Sequence, residues 1–336
     1  MAEIKLLDCT LRDGGYINNW NFGKDNIKYI VQSIAEANVE IIELGFLRDE
    51  IGSKDRAVWN QMEKASEYVM KNMSCSYAVM LESFNLFPLN KIPDSRDTDI
   101  DIIRVICWRK LQNECIDYCR RLINKGYKVC IQPDRVNQYS IEEFKKMCEA
   151  YMQINPYAIY VVDSNGFLSQ KEILKYLYAA EEVLPEQINI GYHGHNSLLQ
   201  AEGSAELFVE SIKNRNIMID GSVYGIGRAS GNLNIEIFAK YLNENFNKKY
   251  NISKFVEIYQ YCIKDIYEKC GWGYSMESYL SSTYRCNPNY ASILNKNYNL
   301  TMCEIEKIIM MLSEEDKVIT NRDIIPKLVK SVLGER

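Results

Sequence analysis

Short apolar, β-branched runs recur along the first two thirds of the chain, each closed by polar or glycine-containing residues and followed by a longer amphipathic stretch. Eight runs stand out: Ile4–Leu11, Ile41–Phe46, Ser76–Leu81, Ile102–Trp108, Lys128–Gln132, Ala158–Asp163, Ile188–Tyr192 and Ile217–Val223. Between them lie helical patterns. In Asn26–Ala37, Ile27, Ile30, Val31 and Ile34 recur with the helical period, and Cys115–Lys125 closes on Gly126. Strand-then-helix alternation of this kind predicts parallel α/β architecture, and eight units predict a (β/α)8 barrel. A doubly wound dinucleotide fold needs a GxGxxG turn after its first strand, and Leu11-Arg12-Asp13-Gly14-Gly15 is not one. After Leu242 the alternation stops. The polar Asn243–Asn251 stretch marks a boundary, and helical patterns such as Ser253–Lys269 and Thr301–Ser313 follow. The expected organisation is a barrel over 1–242 and a helical domain over 252–336.

Composition narrows the function classes. Forty Lys+Arg against 45 Asp+Glu leave a net charge of -5, with no basic block to neutralise phosphates, so nucleic acid is not an expected partner. No uncharged apolar run of membrane-spanning length occurs, and the first residues lack the pattern of a secretory signal, so the expectation is a soluble, cytoplasmic protein. The 11 cysteines form no CxxC pair and read as reduced, mostly buried thiols.

The two histidines, His193 and His195, stand one residue apart at the end of the seventh run. In extended backbone, positions i and i+2 project from one face, so both imidazoles can reach one divalent ion. A carboxylate from another strand end would complete a set with open positions. The first run offers Asp8 and Asp13; Asp13, at the strand-to-loop transition, is taken as the ligand and Asp8 as its support. Arg12 carries a rigid donor fork suited to a carboxylate or an enolate oxygen. Glu43, one strand over, lies within reach to orient it.

Asp8-Cys9-Thr10-Leu11-Arg12-Asp13-Gly14, Glu43-Leu44-Gly45, Asp163-Ser164-Asn165-Gly166, His193-Gly194-His195-Asn196 and Gly225-Ile226-Gly227-Arg228-Ala229-Ser230-Gly231-Asn232 resemble, in order and spacing, the DRE-TIM metallolyase superfamily, and within it the 4-hydroxy-2-oxovalerate aldolase type. The resemblance implies a TIM barrel holding Mn²⁺ or Mg²⁺ through Asp13, His193 and His195, with Asn232 a further ligand or a support, and Arg12 stabilising an enolate. The implied reaction makes or breaks a C–C bond in a 4-hydroxy-2-oxo acid, with a 2-oxo acid and an aldehyde as the small-molecule partners. A Claisen-type acyl-CoA synthase or lyase, and a non-catalytic barrel that docks a partner, are the competing readings. Gly271-Trp272-Gly273-Tyr274-Ser275 resembles the stretch from which a tyrosine enters the aldolase site, which nominates Tyr274 or Tyr279. The helical tail is similar to the aldolase domain that contacts an aldehyde dehydrogenase, so that enzyme or a second copy of this chain is the macromolecular partner considered. One departure stands out: the aldolases carry a general-base histidine where this chain has Tyr16, so either a metal-bound water or Tyr16 as a proton relay takes its place.

Overall fold

The computed structural model describes residues 3–334 except 51, 84–85 and 213; the outermost residues of both expected domains, 1–2 and 335–336, lie outside this set. Eight parallel strands close into a barrel: β1 (Ile4–Asp8), β2 (Ile41–Leu47), β3 (Ser76–Glu82), β4 (Ile102–Cys107), β5 (Lys128–Pro133), β6 (Ala158–Asp163), β7 (Asn189–Gly194) and β8 (Ile217–Gly221). Closure comes from β1, which pairs with β8 over its length and with β2 through Leu7 and Asp8. A two-residue strand, Val58–Trp59, adds to the outside of the ring against the end of β2. Each of the eight apolar runs read from the sequence became one barrel strand, because runs of Ile, Val and Leu buried on both faces suit a parallel sheet under helices.

The helix after each strand is less regular. Lys24–Glu36 buries Ile27, Ile30, Val31 and Ile34 against the barrel as their spacing predicts. Ile141–Met152 and Gln170–Val183 start on capping boxes from Ser140 with Glu143 and Ser169 with Glu172. After β3, by contrast, the described residues form only 3₁₀ turns, Leu89–Lys91 and Ser95–Asp97. Pro88 and Pro93 each remove a backbone donor there and break any longer helix.

Beyond the last barrel helix, Ile235–Asn245, the hydrophobic cores divide. Tyr250, Phe255, Ile258, Cys262 and Ile263 still belong to the barrel core, so Ile252–Cys270 is the barrel's own outer layer. A second core gathers Leu280, Tyr290, Leu294, Ile305, Ile308, Ile309, Ile325 and Val329. This smaller helical unit rests on the carboxyl-end face of the barrel. Nη1 of Arg135 donates to the Val318 carbonyl at 3.0 Å, and Asn287 donates to the carbonyls of Lys317 and Val318. No helix among the described residues is long and apolar enough to cross a membrane.

Candidate metal centre

The site begins with a turn. After β1 the chain coils tightly through Cys9–Gly14. The buried Asp8 carboxylate accepts from the Thr10 hydroxyl at 2.7 Å, and that hydroxyl accepts from the Val223 amide at 2.9 Å. Asp8 therefore ties the β1 turn to the loop after β8 rather than facing the cavity. The turn carries Arg12 and Asp13 inward, and Trp20 fixes it by donating from its indole to the Arg12 carbonyl at 2.8 Å.

Oδ2 of Asp13 is buried and accepts no well-aligned hydrogen bond. Around it stand Nη1 of Arg12 at 3.0 Å, Nε2 of His193 at 3.1 Å and Nε2 of His195 at 3.6 Å. Neighbouring ligands of an octahedral ion with bonds of about 2.1 Å lie roughly 3 Å apart, so Asp13 and His193 stand at ligand spacing and His195 somewhat wider of the same oxygen. The protonation states of His195 and Asp13 agree, while the His193 pKa is raised, since burial would lower it but its hydrogen bonds to Asp13 and Asp220 outweigh that. Burial drives the His195 pKa down to about 3, which leaves a neutral imidazole. Burial alone would raise Asp13, but Arg12, His195 and His193 outweigh it and hold the carboxyl well below its ordinary range. The trio whose ligand atoms lie within 4.8 Å of one another is Cys9, Asp13 and His193. Sγ of Cys9, however, donates to the Gly221 carbonyl at 3.3 Å, and burial keeps its thiol protonated; His195 is the better third ligand for a hard ion.

Asn232 follows the glycine loop after β8 and bridges to His195. Its amide nitrogen donates to the Ile226 carbonyl at 2.9 Å, which pins the side chain, and its Oδ1 is buried without a partner. The oxygen is thereby available as a ligand atom. Gly231 is required in this loop: at φ +76° a side chain is strained, and a Cβ would collide with the Gly225 carbonyl.

Behind the ligands runs a closed circuit of buried charge. Glu43 Oε2 accepts from Nε of Arg12 and from Nη1 of Arg104, each at 2.8 Å. Arg104 also pairs with Oδ2 of Asp220, and that oxygen lies 3.0 Å from Nδ1 of His193. His193 then faces Asp13, which returns to Arg12. Arg104 and Asp220 escaped the sequence reading. Their signal was present: each is a lone charge inside an apolar strand run, Ile-Ile-Arg-Val-Ile and Ile-Met-Ile-Asp, and a charge buried in a barrel strand requires a partner.

Arg12, Asp13, His193 and His195 open onto a cavity of about 330 Å³ together with Tyr16, Trp108, Gln132 and Arg228. The Tyr16 ring packs edge-on against Trp20 at 4.8 Å, with 40% of the residue exposed. Desolvation of its hydroxyl and the nearby Asp13 charge push its pKa up to about 12. Gln132, 4% exposed, presents an amide nitrogen with no partner, a donor awaiting an oxygen. Tyr274 does not join this group. It is 51% exposed and lines a separate cavity with Trp272, Cys270 and Lys296; Tyr279 is 42% exposed and lines neither. The helical unit reaches the first cavity through Asn287 and Ile319 instead.

The comparisons bear on the fold and the family. The HMGL-like family model matches residues 98–262. A 4-hydroxy-2-oxovalerate aldolase of Geobacillus genomosp. 3 is 24% identical over 247 residues, covering 71% of this chain and 70% of that enzyme. An oxaloacetate decarboxylase of Mycobacterium tuberculosis is 24% identical over 239 residues, covering 70% and 68%. Among solved structures, the carboxyl transferase domain of Rhizobium etli pyruvate carboxylase superposes with a TM-score of 0.72 at 13% identity, over 100% of this chain and 62% of that one. The HMG-CoA lyase of Bacillus subtilis does so at 0.60 and 17% identity, over 81% and 94%. The fold, the strand-end motifs and the family match converge: the chain carries an HMGL-like domain of the DRE-TIM type.

Proposed function

We propose that this protein is a carbon–carbon lyase, a divalent-metal-dependent aldolase that cleaves or forms a 4-hydroxy-2-oxo acid through a pyruvate-type enolate. The observation that carries the reading is the Asp13 oxygen left without an aligned partner between two imidazoles and beside Arg12. Asp13, His193 and His195, with Asn232 as a further oxygen donor, would hold Mn²⁺ or Mg²⁺. When bound, such a cation supplies Lewis-acid polarisation of the 2-oxo group.

The chain's own residues do the remaining work. Arg12 is fixed by Glu43 through its Nε, so its guanidinium is oriented before substrate arrives and can stabilise the oxygen on which enolate charge develops. Desolvation opposes its charge, but Asp13 and Glu43 outweigh that and keep it fully protonated. Tyr16, protonated at neutral pH, serves as a donor and proton carrier at the cavity wall rather than as a resting base. Gln132 offers its free N–H groups to a substrate oxygen. Met80, Ile106, Val162 and Ile319 supply an apolar wall for the carbon skeleton of the aldehyde half. The cavity volume suits a small acid, near the lower end of the range for ligand sites of about 300–1,000 Å³. The relatives named as an aldolase and as a decarboxylase both fit chemistry that passes through an enolate of a 2-oxo acid.

The test is exchange of pyruvate methyl protons in D₂O. Exchange that appears with Mn²⁺, disappears with EDTA and is lost in Asp13→Asn is expected, followed by turnover with short aldehydes. Full exchange by chelated protein overturns the proposal.

A further inference from the structure

Three cysteines meet between the barrel wall and its helices, away from the metal ligands. Cys107 ends β4, and Cys115 and Cys119 lie one turn apart on the inner face of the following helix, Gln112–Asn124. All three thiols are buried and free. Sγ of Cys107 stands 2.7 Å from Sγ of Cys115, and Cys115 is 4.0 Å from Cys119. Apolar packing alone gives no reason for so close an approach of two sulfurs. A second feature points at the same spot. The Tyr151 hydroxyl, on the neighbouring helix Ile141–Met152, is buried with no hydrogen-bond partner and lies in the vicinity of Cys107 and Cys115. Cys115 stands between Cys107 and Cys119, and hydrogen bonds accepted from those two thiols would favour its thiolate, the nucleophilic form. A thiolate metal site suits the trio less well, because sulfurs bonded to one ion at about 2.3 Å stand well over 3 Å apart.

We propose that Cys107 and Cys115 are a redox-active pair that closes to a disulfide on exposure to hydrogen peroxide and reopens with thiol reductant. The Cys115 thiolate attacks one peroxide oxygen; the O–O bond breaks, hydroxide leaves, and Cys115 becomes a sulfenic acid. The Cys107 sulfur then attacks the Cys115 sulfur, the S–S bond forms, the S–O bond breaks, and the second oxygen leaves as water. The two sulfurs together lose two electrons, the peroxide gains them, and the two thiol protons end in the two waters. The bridge closes a loop over residues 107–115 that contains Trp108, while Ile106 precedes it on β4; both line the metal-site cavity. Oxidation therefore staples the cavity's wall to the helix behind it, a modification site separate from the lyase chemistry.

The test uses the full chain. Peroxide-treated protein is alkylated under denaturing conditions and digested without reductant, and cross-linked peptides are identified by mass. The expected result is a Cys107–Cys115 cross-link, a loss of two alkylatable thiols per chain, and full recovery of both with dithiothreitol. Cys119→Ser should still form the link, and Cys115→Ser should not. Peroxide treatment that leaves both thiols alkylatable, or that links a different pair in the wild-type chain, overturns the proposal; this readout requires no variant to fold and no lyase activity.

Discussion

Asp220 holds His193 from behind: its Oδ2 lies 3.0 Å from Nδ1, which leaves Nε2 pointing at Asp13. A carboxylate on the far nitrogen fixes ring orientation and tautomer and strengthens the imidazole as a ligand. Asp220→Asn keeps the shape and removes the charge. Manganese affinity, read by titration, should fall roughly 10- to 100-fold. Unchanged affinity in a protein with a native melting curve would show that Asp220 serves Arg104 alone.

Arg104 lies fully buried between Glu43 and Asp220, with its guanidinium 4.9 Å from the Tyr160 ring. Removing one member of a buried ion network strands the others, at a cost of about 3–5 kcal/mol. Arg104→Met should lower the unfolding free energy read from urea melts by that much, since Asp220 loses its guanidinium partner and Glu43 keeps only Arg12. A neutral or stabilising effect would mean that water enters and compensates.

On the proposed reading Tyr16 acts as a proton donor. Its pKa stands raised to about 12, so the phenol keeps its proton through neutral pH, and any step that needs that proton persists until the pH rises through this value. Wild-type activity should therefore show no loss assignable to Tyr16 below about pH 11, and Tyr16→Phe should slow turnover about 10²–10⁴-fold across the range, the usual worth of a positioned proton donor. An alkaline limb near 10 that vanishes in the variant would mark Tyr16 as a phenolate base and contradict this.

Ile319 comes from the helical unit yet lines the cavity. Ile319→Ala should reduce kcat/KM for aldehydes with longer chains by roughly tenfold while leaving pyruvate exchange alone, since a few methylene contacts are worth about 1–3 kcal/mol. Equal loss for both reactions would place Ile319 in folding rather than in selection.

The sequence was most readable where chemistry is local. Asp13 follows Arg12 directly, and His193 and His195 share one strand end, so neighbours along the chain are neighbours in the site. Arg12 and Glu43, a strand apart, were legible from alternation. Arg104 and Asp220 were not, because their pairing crosses the barrel interior and nothing in either run names the other. The tail was least legible. Tyr274 lies in a glycine-rich stretch that matches a motif, yet the fold places Asn287 and Ile319 at the cavity. Which loop of a separate helical unit reaches the barrel depends on how that unit docks, and periodicity carries no information on docking.

Most (β/α)8 barrels fill their waist with layers of branched aliphatic side chains. This one spends that volume on Arg104, Glu43, Asp220 and Tyr160. The same buried charges that occupy the middle of the barrel also stand behind Asp13 and His193, so a change there reaches both the core and the site. Hydrocarbon in place of Asp220 would leave both Arg104 and Nδ1 of His193 without their carboxylate.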